Sequence, residues 1–272
     1  MSLFISKKTL VEDLEKACQG FPDVPVVVHS DLLKIGLTSQ PTARLEICRD
    51  YEQALQTALK ERPLLIPTFN YDFCKTGVYD CLHSPSQVGA LSDYFRLQYP
   101  QLRSLTPIFN FVILHKNEPF SLTASHNVLG TDSLFDTLYK QKGLVLFLGA
   151  PFSTNTFIHY VEECNHIGYR YLIIFSWVLV DQDKETPIVV DYRVRPLMEP
   201  TIRYDFPKLL QEAKSAQVVK ECVVGHGMLL YFETEALFNF WSKKMQEDAL
   251  YLLTEESKKQ VEELSQVRGY AF

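Results

Sequence analysis

The chain has 272 residues, 46% of them hydrophobic, and a formal net charge of −6 at pH 7, enough apolar material for one sizeable core or two modest ones. The acidic balance and the lack of a clustered Lys/Arg block exclude a nucleic-acid surface, which needs concentrated positive charge. No run approaches the roughly 20 apolar residues that cross a bilayer, and Met1–Gly20 has no continuous apolar stretch, so the sequence predicts a cytoplasmic protein with no membrane partner.

Thr9 followed by Glu12 reads as a capping box opening a first helix, with Leu10, Leu14, Ala17 and Cys18 on one face. The short β-branched run at 24–29 predicts a buried strand. Leu45–Lys60 recovers a helical period through Tyr51, Leu55, Ala58 and Leu59, and Pro63–Phe69 predicts a second buried strand. Ser84–Gln87 reads as the cap of a helix passing Leu91 and Phe95, Arg103–Leu114 as a loop feeding a strand, and Ser133–Lys140 as a short helix before a strand at Leu144–Leu148. Strands near Tyr171–Val180 and Pro187–Val194, joined by a charged segment, suit a hairpin. The last third reads as helical over Phe206–Ala216, Glu235–Ala249 and Thr254–Val267, with a strand or turn around Gly225 and Gly227. The alternation predicts a single α/β domain over 1–272: a largely parallel central sheet flanked by helices, with a helical C-terminal portion and a ligand crevice beyond the carboxyl ends of the strands.

Six cysteines are scattered without a CxxC pair, which predicts reduced thiols and neither a zinc knuckle nor a disulfide framework. The richest segment is Gly149–Glu163, where a strand ends at a glycine, passes a small polar loop and enters an amphipathic helix. With Thr154 or Asn155 as cap, His159 lies about one turn in, and Glu162 and Glu163 follow at helical spacing close to its face. One carboxylate can then orient the imidazole so that its other nitrogen serves as a base; the same pattern also fits a core histidine beside solvated glutamates. After the first strand come His29, Ser30, Asp31 and Lys34, which read either as a phosphate-binding loop or as a serine-capped turn. Asn70, Tyr71 and Asp72 follow the second strand and suit an amine- or sugar-binding pocket or a satisfied turn. Arg103 and Ser104 offer a phosphate contact, and Gly225, His226 and Gly227 a tight turn. Nucleotide-fingerprint, Walker, serine-hydrolase and zinc-protease patterns are missing from the sequence.

In order, these segments resemble the aminoglycoside 3-N-acetyltransferase family, the antibiotic N-acetyltransferases outside the GNAT fold. The family's HSSLxxxG stands here as HSDLLKIG, PTFxxD as PTFNYD, TPSxxGxLxExFR as SPSQVGALSDYFR, RSxHPxxS as RSLTPIFN, GxxSxxxxL as GTDSLFDTL, and LLGxxxxxxTxxHxxE as FLGAPFSTNTFIHYVE. The likeness spans residues 24–165 and continues more loosely to about 240. It implies that His159 is the catalytic base, Glu162 its glutamate, and Glu199 a further acidic partner downstream. It places acyl-CoA, acetyl or longer, against Ser30, Lys34, Arg103, Ser104 and Thr156, and implies direct acyl transfer to an amine with no metal. Three departures bear on substrate: Asp31 for the second serine, Thr106 for the histidine of the RS motif, and Asn110 for the serine after it. Tyr71, Tyr79, Tyr94, Tyr160, Tyr192 and Tyr204 suit stacking on a sugar or base. The sequence reading is therefore a CoA-dependent N-acyltransferase of a small-molecule amine. A nucleotide-linked amino sugar for surface polysaccharide ranks first, aminoglycoside acetylation second, and a non-catalytic ligand-binding relative third.

Overall fold

The computed structural model describes residues 3–114, Phe120, 126–196 and 200–268. In chain order it runs α1 (Lys7–Cys18), β1 (Val26–Ser30), α2 (Leu32–Ile35), α3 (Arg44–Leu59), β2 (Leu64–Pro67), α4 (Phe73–Thr76), β3 (Val78–Asp80), α5 (Ala90–Gln98), β4 (Phe111–Leu114), α6 (Leu134–Lys140), β5 (Leu144–Leu148), α7 (Phe157–Cys164), β6 (Tyr171–Asp181), β7 (Lys184–Val194), α8 (Phe206–Ser215), β8 (Lys220–Val224), β9 (Gly227–Glu233), α9 (Thr234–Glu247) and α10 (Glu255–Arg268).

The central sheet has the order β4-β2-β1-β5-β9-β8. Its middle is parallel: β1 pairs with β2 on one side and with β5 on the other. Antiparallel strands close both flanks, β4 against β2 and β9 against β5. The middle strands are apolar along their buried length, Val26–Val28 in β1 and all of β2 and β5, because both faces are covered, as parallel strands require, and β1 turns polar only at His29 and Ser30 where it reaches the crevice. Val26 and Val28 enter one core with α1, α3 and α5, while Val27 enters the other with α6, α7 and α9. Leu144 and Leu146 against Val145 and Phe147 divide in the same way.

Chain order reverses on either side of β1, so the crevice beyond the carboxyl ends of β1 and β5 is the topological switch point of the sheet. Gly149 makes this turn possible. Its φ is +72°, and a Cβ there would lie 2.5 Å from the Asp31 carbonyl, so the backbone leaving β5 closes directly onto the chain leaving β1.

The predicted hairpin forms, but it is longer than its hydrophobic runs and stands outside the central sheet. Gln182 and Asp183 take positive φ of 49° and 63°, which lets two turn residues connect eleven paired positions on each strand. The hairpin joins β3 in a three-stranded sheet, a pairing between distant segments with no local signature. At the N-terminus, Ser6 rather than Thr9 is the cap: its hydroxyl accepts from the Thr9 N–H at 3.0 Å. The segment around Gly225–Gly227 is the turn of the β8–β9 hairpin, where the His226 N–H donates to the Ile35 carbonyl and the ring sits 3.1 Å from the Phe4 carbonyl. No described helix is long and apolar enough to cross a membrane.

Candidate active site

A cavity of about 680 Å³ opens at the switch point, and His29, Ser30, Ala150, Thr156 and His159 are among its lining residues. Its size is that of a small-molecule site.

His159 lies in the first turn of α7, which begins later than its sequence predicts. A 3-10 turn over Phe152–Thr154 takes up the preceding residues, and Thr156 occupies the cap position without a side-chain hydrogen bond. Asn155, a predicted cap, instead sits buried in the cavity lining with both amide atoms unpartnered within the protein. A buried amide of that kind calls for a partner from a ligand or water.

The helix places Glu162 three residues after His159, and its Oε2 lies 2.9 Å from Nδ1. Glu163 turns away to Arg193 at 3.2 Å, so of the two carboxylates only Glu162 serves the imidazole. Glu162 is fully buried, yet it is surrounded by donors. Tyr169 donates to Oε1, the Tyr204 hydroxyl lies 2.9 and 2.8 Å from the two oxygens, and Arg170 Nη1 approaches Oε2 at 2.5 Å. Burial pushes this carboxyl up, but the Arg170 guanidinium and then His159 overcome it and hold the pKa at about 2. An ionised carboxylate only accepts, so Nδ1 carries the proton and Nε2 is the free lone pair.

Arg170 Nη1 also lies 2.9 Å from Nδ1, and Tyr204 Oη 3.2 Å. Burial, then the Arg170 charge, lower the His159 pKa, with Glu162 opposing them. The ring is thus neutral at neutral pH, the state a proton acceptor needs. Arg170 is itself fixed through Arg193, whose carbonyl accepts from Nε at 3.0 Å. Arg170 and the Tyr169 hydroxyl escape the sequence reading because they precede β6 without any periodic or motif signal. Tyr204, which the sequence offers only as a stacking residue, is a hydrogen-bond partner of both Glu162 oxygens.

The other predicted residues divide sharply. Ser30, Tyr71 and Thr156 line the cavity. Arg103 and Ser104 do not: they are 1% and 0% exposed. Arg103 donates from Nε to Asn110 Oδ1 at 3.0 Å, from Nη1 to the Cys81 and Ser84 carbonyls at 3.0 and 2.7 Å, and from Nη2 to the Thr68 carbonyl at 2.8 Å. Ser104 Oγ accepts from the Phe111 N–H at 3.1 Å. This pair clamps the ends of β2 and β4 instead of facing a phosphate, because both side chains are buried and four of the five Arg103 N–H groups are already committed to the chain. Lys34 is exposed on α2 outside the cavity lining. Asn70 is buried, accepting from the Phe73 N–H at 3.2 Å and donating to the Pro85 carbonyl at 2.9 Å, and Asp72 holds the cap position of α4. Both are turn residues that leave Tyr71 alone at the cavity. Glu199 lies outside the described residues. Of the predicted stacking tyrosines, Tyr71 and Tyr204 line the cavity, whereas Tyr79, Tyr94 and Tyr160 are buried, their hydroxyls donating to Ser104, Glu52 and Asp136.

His29 faces the same cavity, its ring stacked on Phe147 at 5.1 Å and 9°. Burial lowers its pKa to about 4, so it too is neutral at neutral pH.

Comparison with known proteins agrees with this architecture. Residues 27–246 match the family model described as aminoglycoside 3-N-acetyltransferase. The YokD protein from Bacillus subtilis is similar over 90% of this chain and 95% of its own, with 21% identity and a TM-score of 0.70. Sisomicin-bound AAC-VIa shares 15% identity over 90% of this chain and 98% of its own, with a TM-score of 0.72. AAC-IIIb in binary complex with CoASH shares 17% identity over 90% and 97%, with a TM-score of 0.68. No curated protein matches the chain by sequence.

Proposed function

Since this chain belongs to the aminoglycoside 3-N-acetyltransferase family and is thereby an N-acyltransferase, we propose that it moves an acetyl group from acetyl-CoA to an amine on an amino sugar, with His159 as general base. The observation that carries the proposal is the imidazole in the cavity lining with Nδ1 held against buried Glu162, which leaves Nε2 for a substrate proton.

In this reading the acceptor nitrogen attacks the thioester carbonyl as Nε2 takes its proton. The C–N bond forms, the C–S bond breaks, and the departing CoA thiolate recovers the proton from the imidazolium. Glu162 stabilises that imidazolium, while Arg170 keeps the resting ring neutral. Ser30 and Thr156 hold the acyl-CoA arm, and the Asn155 amide pairs with one of its amide groups. Tyr71 packs against the sugar. No covalent enzyme intermediate is required, so the buried thiols Cys18, Cys48 and Cys81 have no chemical part.

The acceptor is assigned to the aminoglycoside-like sugars in preference to the nucleotide-linked sugars that the sequence alone ranked first. The family model and the sisomicin-bound relative support that choice. The test is release of CoA thiol from acetyl-CoA with a panel of amino sugars. His159→Ala is expected to lose about 10²–10⁴-fold in kcat, the usual contribution of a general base. Full activity in that variant, or no thiol release with any amine, refutes the proposal.

A further inference from the structure

The end of β7 supports both groups that hold the carboxylate behind the base. The strand runs to Val194, with Arg193 and Arg195 on either side of that residue. The Arg193 carbonyl accepts from Arg170 Nε at 3.0 Å and also from its Nη2, which aims the guanidinium at Glu162. Arg195 serves the second group, Tyr204. Its Nη1 donates to the Ile202 carbonyl at 2.6 Å, two residues before Tyr204, and its guanidinium lies over the Tyr204 ring at 4.7 Å from the centre.

Tyr204 needs such support. Its backbone is anchored on both sides: the Thr254 N–H donates to the Arg203 carbonyl at 3.0 Å, and the Asp205 N–H to the Leu252 carbonyl at 3.0 Å. That fixes where the side chain starts, but its torsions decide whether the hydroxyl reaches Glu162. The rings of His159 and Phe206 lie 5.7 and 5.5 Å from the Tyr204 ring, and the Arg195 cation is drawn to its face. A positive charge there also favours negative charge on the phenol oxygen, which makes the O–H a better donor to a carboxylate. The hydroxyl so held lies 2.9 and 2.8 Å from the Glu162 oxygens and 3.2 Å from His159 Nδ1.

We infer that Arg195 is a positioning residue for acyl transfer: from the end of β7 it holds the Tyr204 ring, and through the Tyr204 hydroxyl it holds Glu162 and the His159 imidazole in the geometry that presents Nε2 to the acceptor. This rests on the N-acyltransferase reading and adds a residue to its machinery. Arg195 also lines the cavity, so a contact with either substrate is the rival role. The two roles differ in what they change. A residue that orients the base acts on kcat, whereas one that binds substrate equally in ground and transition states acts on KM.

The test measures thiol release from acetyl-CoA, with the amino sugar that the wild type accepts best, in Arg195→Met, Tyr204→Phe and the double variant. Methionine keeps an apolar stem and removes the charge and the donors. In Arg195→Met kcat is expected to fall about three- to tenfold, the scale of one cation–π contact with one hydrogen bond, while KM for both substrates changes by less than about twofold. The double variant should match Tyr204→Phe alone, because the guanidinium then has no hydroxyl to hold. Losses that multiply, a raised KM with kcat intact, or an unchanged kcat overturns the inference and leaves the acyltransferase reading in place. Should the wild type release no thiol with any amine, that reading fails, and the His159 ring nitrogens are followed by NMR instead. An Nδ1 shift in Arg195→Met that disappears in the Tyr204→Phe background supports the coupling. An unmoved Nδ1, or an equal shift in both backgrounds, overturns it.

Discussion

Removing the positive charge beside the base is the sharpest test of how this site is tuned. In Arg170→Gln the guanidinium that lies 2.9 Å from His159 Nδ1 disappears, while Glu162 keeps its bonds from His159, Tyr169 and Tyr204. Burial lowers the His159 pKa first and the Arg170 charge second, so the substitution raises it. Two unit charges at this separation repel by about 1.4 kcal/mol even at the dielectric of water, enough to make the direction of the shift measurable. The acid limb of kcat/KM, which reports the base in the free enzyme, is expected to move to higher pH, so that activity is lost earlier on acidification and survives at alkaline pH. Arg170→Lys retains the charge and should leave the limb in place. Because Arg170→Gln also strips a buried carboxylate of its counter-charge, about 3–5 kcal/mol of stability is lost, and profiles are taken below the lowered Tm. An acid limb that stays put, or moves to lower pH, in a folded Arg170→Gln enzyme refutes the reasoning.

Tyr204→Phe deletes a hydroxyl that reaches both Glu162 oxygens; a hydrogen bond to a charged group contributes about 1.5–3 kcal/mol, and kcat should drop about tenfold or more, an unchanged kcat arguing against a role in holding the carboxylate. Arg103→Lys strands the Cys81, Ser84 and Thr68 carbonyls that Arg103 now satisfies, so Tm should fall by the equivalent of about 3 kcal/mol or more. The KM for acetyl-CoA should be little changed; a raised KM with intact Tm would instead mark Arg103 as a phosphate contact. Acid stability follows from His29 and Glu162, both with lowered pKa values in the fold. The His29 contribution is complete above its ordinary 6.5 and is lost as pH falls toward about 4, on the order of 3 kcal/mol. The Glu162 contribution is complete above 4.5 and is lost toward about 2. His29→Phe, which keeps the stack on Phe147, should flatten Tm between pH 6.5 and 4, and an unchanged slope there refutes the assignment.

The sequence by itself determined what is local. Continuous apolar runs made β1, β2 and β5, and helical geometry placed Glu162 three residues from His159, so base and orienting carboxylate were legible together. A lone polar residue carries no such information about its surroundings. Arg103 reads as a phosphate ligand and Asn70 as a pocket residue until the chain folds over them and uses up their hydrogen bonds. Arg170 and Tyr204 reach His159 from 11 and 45 residues away, and only tertiary packing brings that charge and hydroxyl to one imidazole nitrogen. Periodicity reports which face of an element is buried. Which distant groups meet there, and with what charge, is set by sheet order and loop paths, and these in turn fix the protonation state of the base.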